Sequence, residues 1–468
     1  MITLLKRLFN VNNMLKPQQR LGEIPSTSSM YLSTYRIAWP SALEAVLISL
    51  IGSVDTIMVS SLGPGAIAAV GITNQPKYIV MSVIFSLNLG VTAIVARRKG
   101  EKDIMGANRC LKQSIMLSSM LTVAASALGY IFADPLIILA GAGRDIITDA
   151  SVYFRIIMIG NVFYCIGLTI TAAQRGSGNT RISMVTNLTA NLVNICFDYL
   201  LIGGRFGFPA LGVAGAAIAT AIGNIVSLII AVFSVTRRGG FLSLLEYGEW
   251  RFDLKTLKNL ASLGSSALVE QVFMRIGFFS YAAIVAGLGT IAFATHQICM
   301  NVINVSFAFG DGLSIAASSL VGQSLGAKRP DIAILYGKVT QRIAFCVSAV
   351  LFVVFMLGRH GIVSLFTDDN QIIALGAVIL IVIACTSPFQ TSNVVVSGCL
   401  RGAGDAKYVA LVSFISIGVI RPVVTWLLCF PLGLGLLGAW FSLMFDQVTR
   451  LTLNYLRFSR GKWTKIKI

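Results

Sequence analysis

Ser33–Leu62 reads STYRIAWPSALEAVLISLIGSVDTIMVSSL. As an α-helix, a stretch of this length covers about 45 Å, more than the roughly 30 Å of hydrocarbon in a bilayer. Two carboxylates, Glu44 and Asp55, interrupt sequence that is otherwise apolar enough to cross a membrane. A helix turns by about 100° and rises about 1.5 Å per residue, so the two acids fall on nearly one face, roughly 16 Å apart. An ionisable group at bilayer depth costs several kcal/mol unless it faces water or a partner. The stretch therefore predicts both a membrane span and a use for its acids.

The remainder of the chain has the same character. Of 468 residues, 56% are hydrophobic and 12% charged, with a mean hydropathy of +0.81. This composition predicts a polytopic membrane protein. The formal charge of +18 does not indicate nucleic acid, because that needs a soluble basic surface. Here Lys and Arg sit in short turns between apolar runs. Eight cysteines are scattered singly, without a CxxC or a Cys/His cluster, so neither a zinc site nor a disulfide framework is expected. The first thirty residues are polar and basic without a cleavable apolar core, and read as a cytoplasmic tail.

Runs long enough to span fall near 33–61, 67–96, 111–133, 149–172, 181–203 and 211–236. Six more fall near 259–286, 291–322, 335–358, 372–398, 407–431 and 435–457. The expected fold is all-α, with twelve transmembrane helices in two six-helix bundles. Its parts are an N-tail (1–32), a first bundle (33–236), a basic linker (237–258), a second bundle (259–457) and a basic C-tail (458–468). Arg97-Arg98-Lys99, Lys328-Arg329, the linker charges (among them Arg238) and the tail from Arg457 to Lys467 lie on one side; the other holds Arg144, Arg205 and Arg359. The positive-inside rule makes both termini cytoplasmic.

The chain also repeats itself at one constant offset, the step from Glu44 to Glu270. At the same offset Gln174-Arg175-Gly176-Ser177-Gly178 aligns with Leu400-Arg401-Gly402-Ala403-Gly404, Leu62-Gly63 with Leu288-Gly289, and Leu211-Gly212 with Leu437-Gly438. A duplicated unit with an even number of spans keeps its orientation. The pseudo-twofold axis is thus expected along the membrane normal, with the substrate cavity between the bundles.

No phosphate-binding loop, catalytic constellation or soluble domain is visible, which argues against an ATP-driven pump, an enzyme or a receptor and for secondary transport. PSALEAVLISLIGSVDTIMVSSLG in the first span, GVAGAAIATAIGN in the sixth, HQICMN and AASSLVGQSLGAKRPD in the eighth, and the QRGSGNT and CLRGAGDAK turns carry a resemblance. Over about 33–458 the chain resembles the multidrug and toxic compound extrusion (MATE) transporters. That resemblance implies a plasma-membrane antiporter, not an enzyme, exporting organic and often cationic small molecules in exchange for Na+ or H+, with no other cofactor. A monomer is expected. The alternative is a lipid-linked oligosaccharide flippase of the same wider superfamily, which would predict cationic rather than acidic groove residues.

Asp55 stands where the family keeps a functional carboxylate of the N-terminal half; the plainer alternative is a buried hydrogen-bonding role. In the fifth span Asn187, Asn191, Asn194 and Asp198 are spaced four, three and four apart, one helical stripe. Such a stripe implies a water-filled or cation-lined cavity, or interhelical hydrogen bonds. The Asn194–Asp198 pair matches DinF-like members, and with Asp55 it offers hard oxygen ligands for Na+ or a shared proton. Glu270 occupies the family's acidic position in the C-terminal half, free or paired with Arg275. Gln390 replaces the tenth-span acid of NorM-like members, which moves the expected coupling site to Asp55, Asn194 and Asp198. Gln297, Asn301, Asn304 and Asp311 form a possible cavity lining in the eighth span, and Glu44 is counted with the cavity acids in an open role. Lys77, Arg155, Arg421 and Asp446 are expected as charge partners inside the bundles.

Overall fold

The computed structural model describes residues 9–143, 146–237, 239–246 and 250–466. Arg144, Arg238 and Lys467, counted above among the loop charges, lie outside these. The helices in order are α1 (Thr27–Ser60), α2 (Pro64–Gly100), α3 (Ile104–Ile131), the short α4 (Ala133–Leu139), α5 (Ile147–Gly176), α6 (Thr180–Leu201) and α7 (Gly212–Thr236). The second half has α8 (Leu254–Ala286), α9 (Thr290–Gly326), α10 (Pro330–Ser364), α11 (Asn370–Gly402), α12 (Ala406–Ser413), a π-helical stretch Phe414–Ile420, α13 (Arg421–Cys429) and α14 (Gly435–Ser459). α12, the π stretch and α13 follow one another without a break, so the described residues form twelve long helical segments.

Nine segments among the described residues are long and apolar enough to cross a membrane. The other three, α1, α6 and α14, have 34, 22 and 25 residues, ample length. In α6 and α14 the polar face lowers the hydropathy: Asn187, Asn191, Asn194 and Asp198 in one, Asp446, Gln447, Arg450 and Asn454 in the other. A polar stripe is tolerated in a membrane only where it meets other protein groups or water.

The chain packs as two compact units, Leu43–Ser265 and Met1–Ala42 with Ser266–Ile468. α1 and α8 thus each pass from one unit to the other within their own length, α1 just after Pro40. In the Leu43–Ser265 unit, Val59, Ala69, Ile137, Phe154, Ile157, Met158 and Ala217 form a core around the first half of α5. In the other unit one core gathers α8, α9, α11 and α14 about Tyr281, Ile303, Ile383 and Trp440.

Repetition is visible in backbone angles. Gly63 and Gly289, which precede α2 and α9, have φ/ψ of 102°/173° and 102°/169°. Lys102 and Lys328 both sit at φ 57°. In the two RGxG turns, Gly178 and Gly404 take φ 84° and 92°, the left-handed region that glycine tolerates. Gly176 and Gly402 are needed for another reason: a Cβ would collide with the carbonyl oxygen of Thr92 and of Ser318, which are themselves counterparts in the repeat. Close helix approach through small residues is how membrane helices gain packing without a hydrophobic drive between them.

The last helices depart from the ungapped repeat. α7 begins at Gly212 (φ 54°) and α14 at Gly435 (φ 53°). A Cβ on Gly215 would strike Leu201, and one on Gly438 would strike Leu428. Gly438 is therefore the counterpart of Gly215, and the expected Leu211-Gly212 to Leu437-Gly438 match is a shifted register. The π stretch inserts one residue before α13, and a shorter connection then removes several before α14.

Candidate functional site

Asp55 lies one and a half turns before the end of α1, on a part of the helix that belongs to the Leu43–Ser265 unit. Asp198 and Asn194 lie one turn apart near the end of α6, and both are buried. The Asp198 carboxyl faces that of Asp55 and the Asn194 amide. Asn194 donates to Thr220 Oγ1 of α7 at 3.4 Å. Asp55 Oδ1 and both Asp198 oxygens are sealed from solvent without a hydrogen-bond donor. Two carboxyl groups from separate helices thus meet in a site poor in water, each offering unused lone pairs. Their mutual repulsion is unscreened there, so a proton or a small cation between them relieves it.

Two other side chains act on the pair. The Lys77 ammonium, from α2, lies in the field of Asp55, and Tyr153 of α5, 8% exposed, lies in the fields of both acids. Lys77 was legible as an unexpected charge in a span; Tyr153 and Thr220 carried no signal of their own in the sequence.

The stripe on α6 divides its work. Asn191 Nδ2 donates to Asn187 O, 2.7 Å away on its own helix. Asn187 instead hydrogen-bonds Glu44 Oε1. Glu44 also accepts from Ser183 Oγ at 3.0 Å and lies 4.0 Å from Arg175 Nη1 of the first RGxG turn. In the other unit, Glu270 is ion-paired with Arg401 of the second RGxG turn and accepts from Ser413 Oγ at 3.1 Å. Glu44, Arg175 and Asn187 correspond residue for residue to Glu270, Arg401 and Ser413 in the repeat. Each acid is thus bound to the turn of its own half. Glu270's partner is Arg401, far along the chain on α11, where sequence proximity had suggested Arg275.

Gln297, Asn301, Asn304 and Asp311 are all exposed on α9, pointing away from the core of their unit, with Asp311 in the field of Arg401. Gln390 is fully buried, and neither its Oε1 nor its Nε2 has a partner. Arg421 and Asp446 form a buried ion pair, to which Arg450 adds a contact of 2.9 Å. Arg155 pairs with Asp134 at 2.8 Å, but both side chains are exposed, so the pair is not a buried one. Among the described residues no group of three or more His, Cys, Asp or Glu side chains could hold a metal ion. Any cation at Asp55 and Asp198 would draw its further ligands from Asn194 and neutral oxygens.

The MatE family signature matches residues 40–200 and again 267–427, one copy per half. Over 92% of both chains, the sequence is 30% identical to a probable multidrug resistance protein NorM of Thermotoga maritima. It is 26% identical to the multidrug resistance protein PmpM of Pseudomonas aeruginosa, over 87% of this chain and 84% of that one. The fold superposes with a TM-score of 0.85 on a multidrug resistance MATE family transporter of the MOP superfamily in an outward-facing conformation, at 21% identity, covering 92% of this chain and 97% of that one. Both halves of the chain, matched separately and in full-length comparison, place it in the MatE family of membrane transporters.

Proposed function

We propose that the protein is an antiporter that exports small organic, often cationic, molecules across the plasma membrane in exchange for Na+ or H+, coupled at Asp55, Asn194 and Asp198. The observation that carries this reading is the buried meeting of Asp55 and Asp198 from two helices, with three carboxylate oxygens lacking donors. The names of the NorM and PmpM relatives support export of drugs.

In this reading the pair binds Na+ or a proton from outside, which draws the end of α1 and α6 together around it. Release to the inside leaves two acids in mutual repulsion, moderated by Lys77, and α1 relaxes. Since α1 belongs to both units, a change at Asp55 is mechanically linked to the other half. Coupling of this kind corresponds to a differential affinity of about 1–3 kcal/mol between the loaded and unloaded states. Both termini face the cytoplasm, the chain acts as a monomer in the lipid bilayer, and Gln297, Asn301, Asn304 and Asp311 line the substrate path.

The test is efflux of an ethidium-like dye from proteoliposomes under imposed Na+ or pH gradients. Acceleration by one gradient, lost in Asp55→Asn and Asp198→Asn protein reconstituted to the same level, is expected. Efflux indifferent to both gradients would overturn antiport; coupled efflux surviving in both variants would overturn the site.

A further inference from the structure

Away from the coupling site, the Leu43–Ser265 unit has an open groove of about 450 Å³ between α6 and α7, lined by Arg181, Ile182, Val185, Ile229, Ile230, Phe233, Ser234 and Arg237. Its two arginines lie at one end of the helices. Arg181 is the second residue of α6, and Arg237 follows the last residue of α7. That end is the basic face of the unit: Lys99, in the Arg97-Arg98-Lys99 turn that closes α2, donates to Ser177 O in the turn leading into α6. From Arg237 to Ile229 the groove runs about 12 Å along the helix axis, from headgroup depth into hydrocarbon depth.

Beyond the arginines the lining is almost wholly apolar. Ile229, Phe233 and Val185 are 57%, 65% and 48% exposed, far more than packing residues of this unit. The Ser234 hydroxyl is already engaged, donating to Ala231 O and accepting from Gln174 Nε2 at 3.2 Å. Among the described residues no carboxylate lines the groove, and Arg181 and Arg237 are both exposed at its basic end.

We propose that this groove is a binding site for an anionic membrane phospholipid, its phosphate held between Arg181 and Arg237 and one acyl chain laid against Ile182, Val185, Ile229 and Phe233. Guanidinium groups bind phosphate bidentately, and basic pockets between membrane helices on the cytoplasmic side select anionic headgroups. The lipid would brace the start of α6, the helix that carries Asn194 and Asp198, against α7.

The experiment is a thermal-shift titration of the full-length chain in detergent, with phosphatidylglycerol or phosphatidylcholine of identical acyl chains. Phosphatidylglycerol should stabilise saturably and at lower concentration than phosphatidylcholine. Each basic residue near an anionic surface is worth roughly fivefold in affinity, so the double variant Arg181→Gln/Arg237→Gln should bind phosphatidylglycerol roughly thirtyfold more weakly. Val185→Trp, which fills the slot and leaves both charges, should also abolish the saturable shift, and glycerol phosphate should not compete. A Lys407→Gln/Arg460→Gln control removes the same charge elsewhere and should behave as wild type. Equal response to the two lipids, an unaltered response in either groove variant, or an equal loss in the control would overturn the proposal. So would full competition by glycerol phosphate, which would mean a phosphate site without a lipid.

Discussion

Asp55 and Tyr281 hold the same place in the two repeats, each eleven positions after the paired acids Glu44 and Glu270. Opposite Asp55 stand Asn194 and Asp198 on α6. Opposite Tyr281, once the residue inserted by the π stretch is counted, stand Arg421 and Thr425 on α13, with the Arg421 guanidinium 5.8 Å from the Tyr281 ring and 4.8 Å from that of Phe278. One scaffold therefore carries opposite chemistry in its two halves. In the second, the buried charge is compensated by permanent partners: Asp446 accepts from Arg421, Arg450 and Ser416. In the first, two acids face each other without a hydrogen-bond donor, with the Lys77 ammonium in the field of Asp55. In the proposed reading the exchangeable charge belongs to the first half alone, whereas the buried charge of the second is held by fixed partners.

The strongest way to break this contrast is to neutralise the acid pair of the first half. Asp198→Asn and Asp55→Asn should each reduce gradient-driven dye efflux by roughly 5–150-fold, the range that a coupling energy of about 1–3 kcal/mol spans, without lowering the amount of folded protein. Binding of substrate in the absence of a gradient should survive. If instead the folded fraction falls as sharply as efflux, the pair is structural like its counterpart and the contrast fails.

The reverse manipulation addresses stability. Arg421→Gln leaves Asp446, fully buried, with Arg450 as its remaining cation. Breaking a buried ion pair from one side costs about 3–5 kcal/mol, so thermal unfolding in detergent should shift markedly downward. Asp446→Asn, which leaves both Arg421 and Arg450 without their shared carboxylate, should lower it further. A single variant as stable as wild type would mean the cluster is wet and exchangeable after all.

How much of this was legible beforehand follows from where the signal lay. The spans, the duplication and the α6 stripe are periodic features of the chain, and periodicity survives translation into three dimensions. Asp55 and Asp198 stand four spans apart in the sequence, and that they belong together was readable only through the family resemblance. Pairings that need an actual turn geometry were not legible. Glu270 reaches Arg401 because the close approach of Gly402 to Ser318 sets the second RGxG turn beside α8's acid, and no local spacing shows that. The one-residue insertion before α13 is equally invisible, because a π stretch has no distinctive composition; it alone hides the correspondence of Arg421 with Asn194.

The two RGxG turns give a smaller asymmetry. Arg401 bonds Glu270 directly, whereas Arg175 stands 4.0 Å from Glu44, which keeps Ser183 and Asn187 as donors. Arg401→Gln should therefore cost about 1.5–3 kcal/mol, the value of a hydrogen bond to a charged group, and Arg175→Gln less than about 1 kcal/mol. Chemical unfolding of both variants in the same detergent measures the difference; equal losses would show that the Glu44 network depends on Arg175 as fully as its counterpart does on Arg401.

The smallest expected effect lies at the starts of the helices that open the two halves. α1 is capped by Ser26, whose Oγ accepts from Ser29 N at 3.3 Å; α8 is capped by Asp253, whose Oδ2 accepts from Thr256 N at 3.0 Å and from Thr256 Oγ1 at 2.7 Å. These bonds from the Thr256 side chain and backbone hold the Asp253 carboxyl below the usual carboxylate range. A group whose folded value is depressed stabilises the fold above its unfolded value, near 3.9 for aspartate, and that stabilisation disappears as pH falls through the lower folded value. A serine cap has no such dependence. Hydrogen-exchange protection of the Thr256 amide, divided by that of Ser29 to cancel the intrinsic pH dependence of exchange, should be constant above about pH 5 and decline below about pH 4. In Asp253→Asn, where an equally good but uncharged cap replaces the carboxylate, the ratio should be flat throughout. A decline that persists in that variant would assign the acid sensitivity to another group, and the two helix starts would differ in sequence alone.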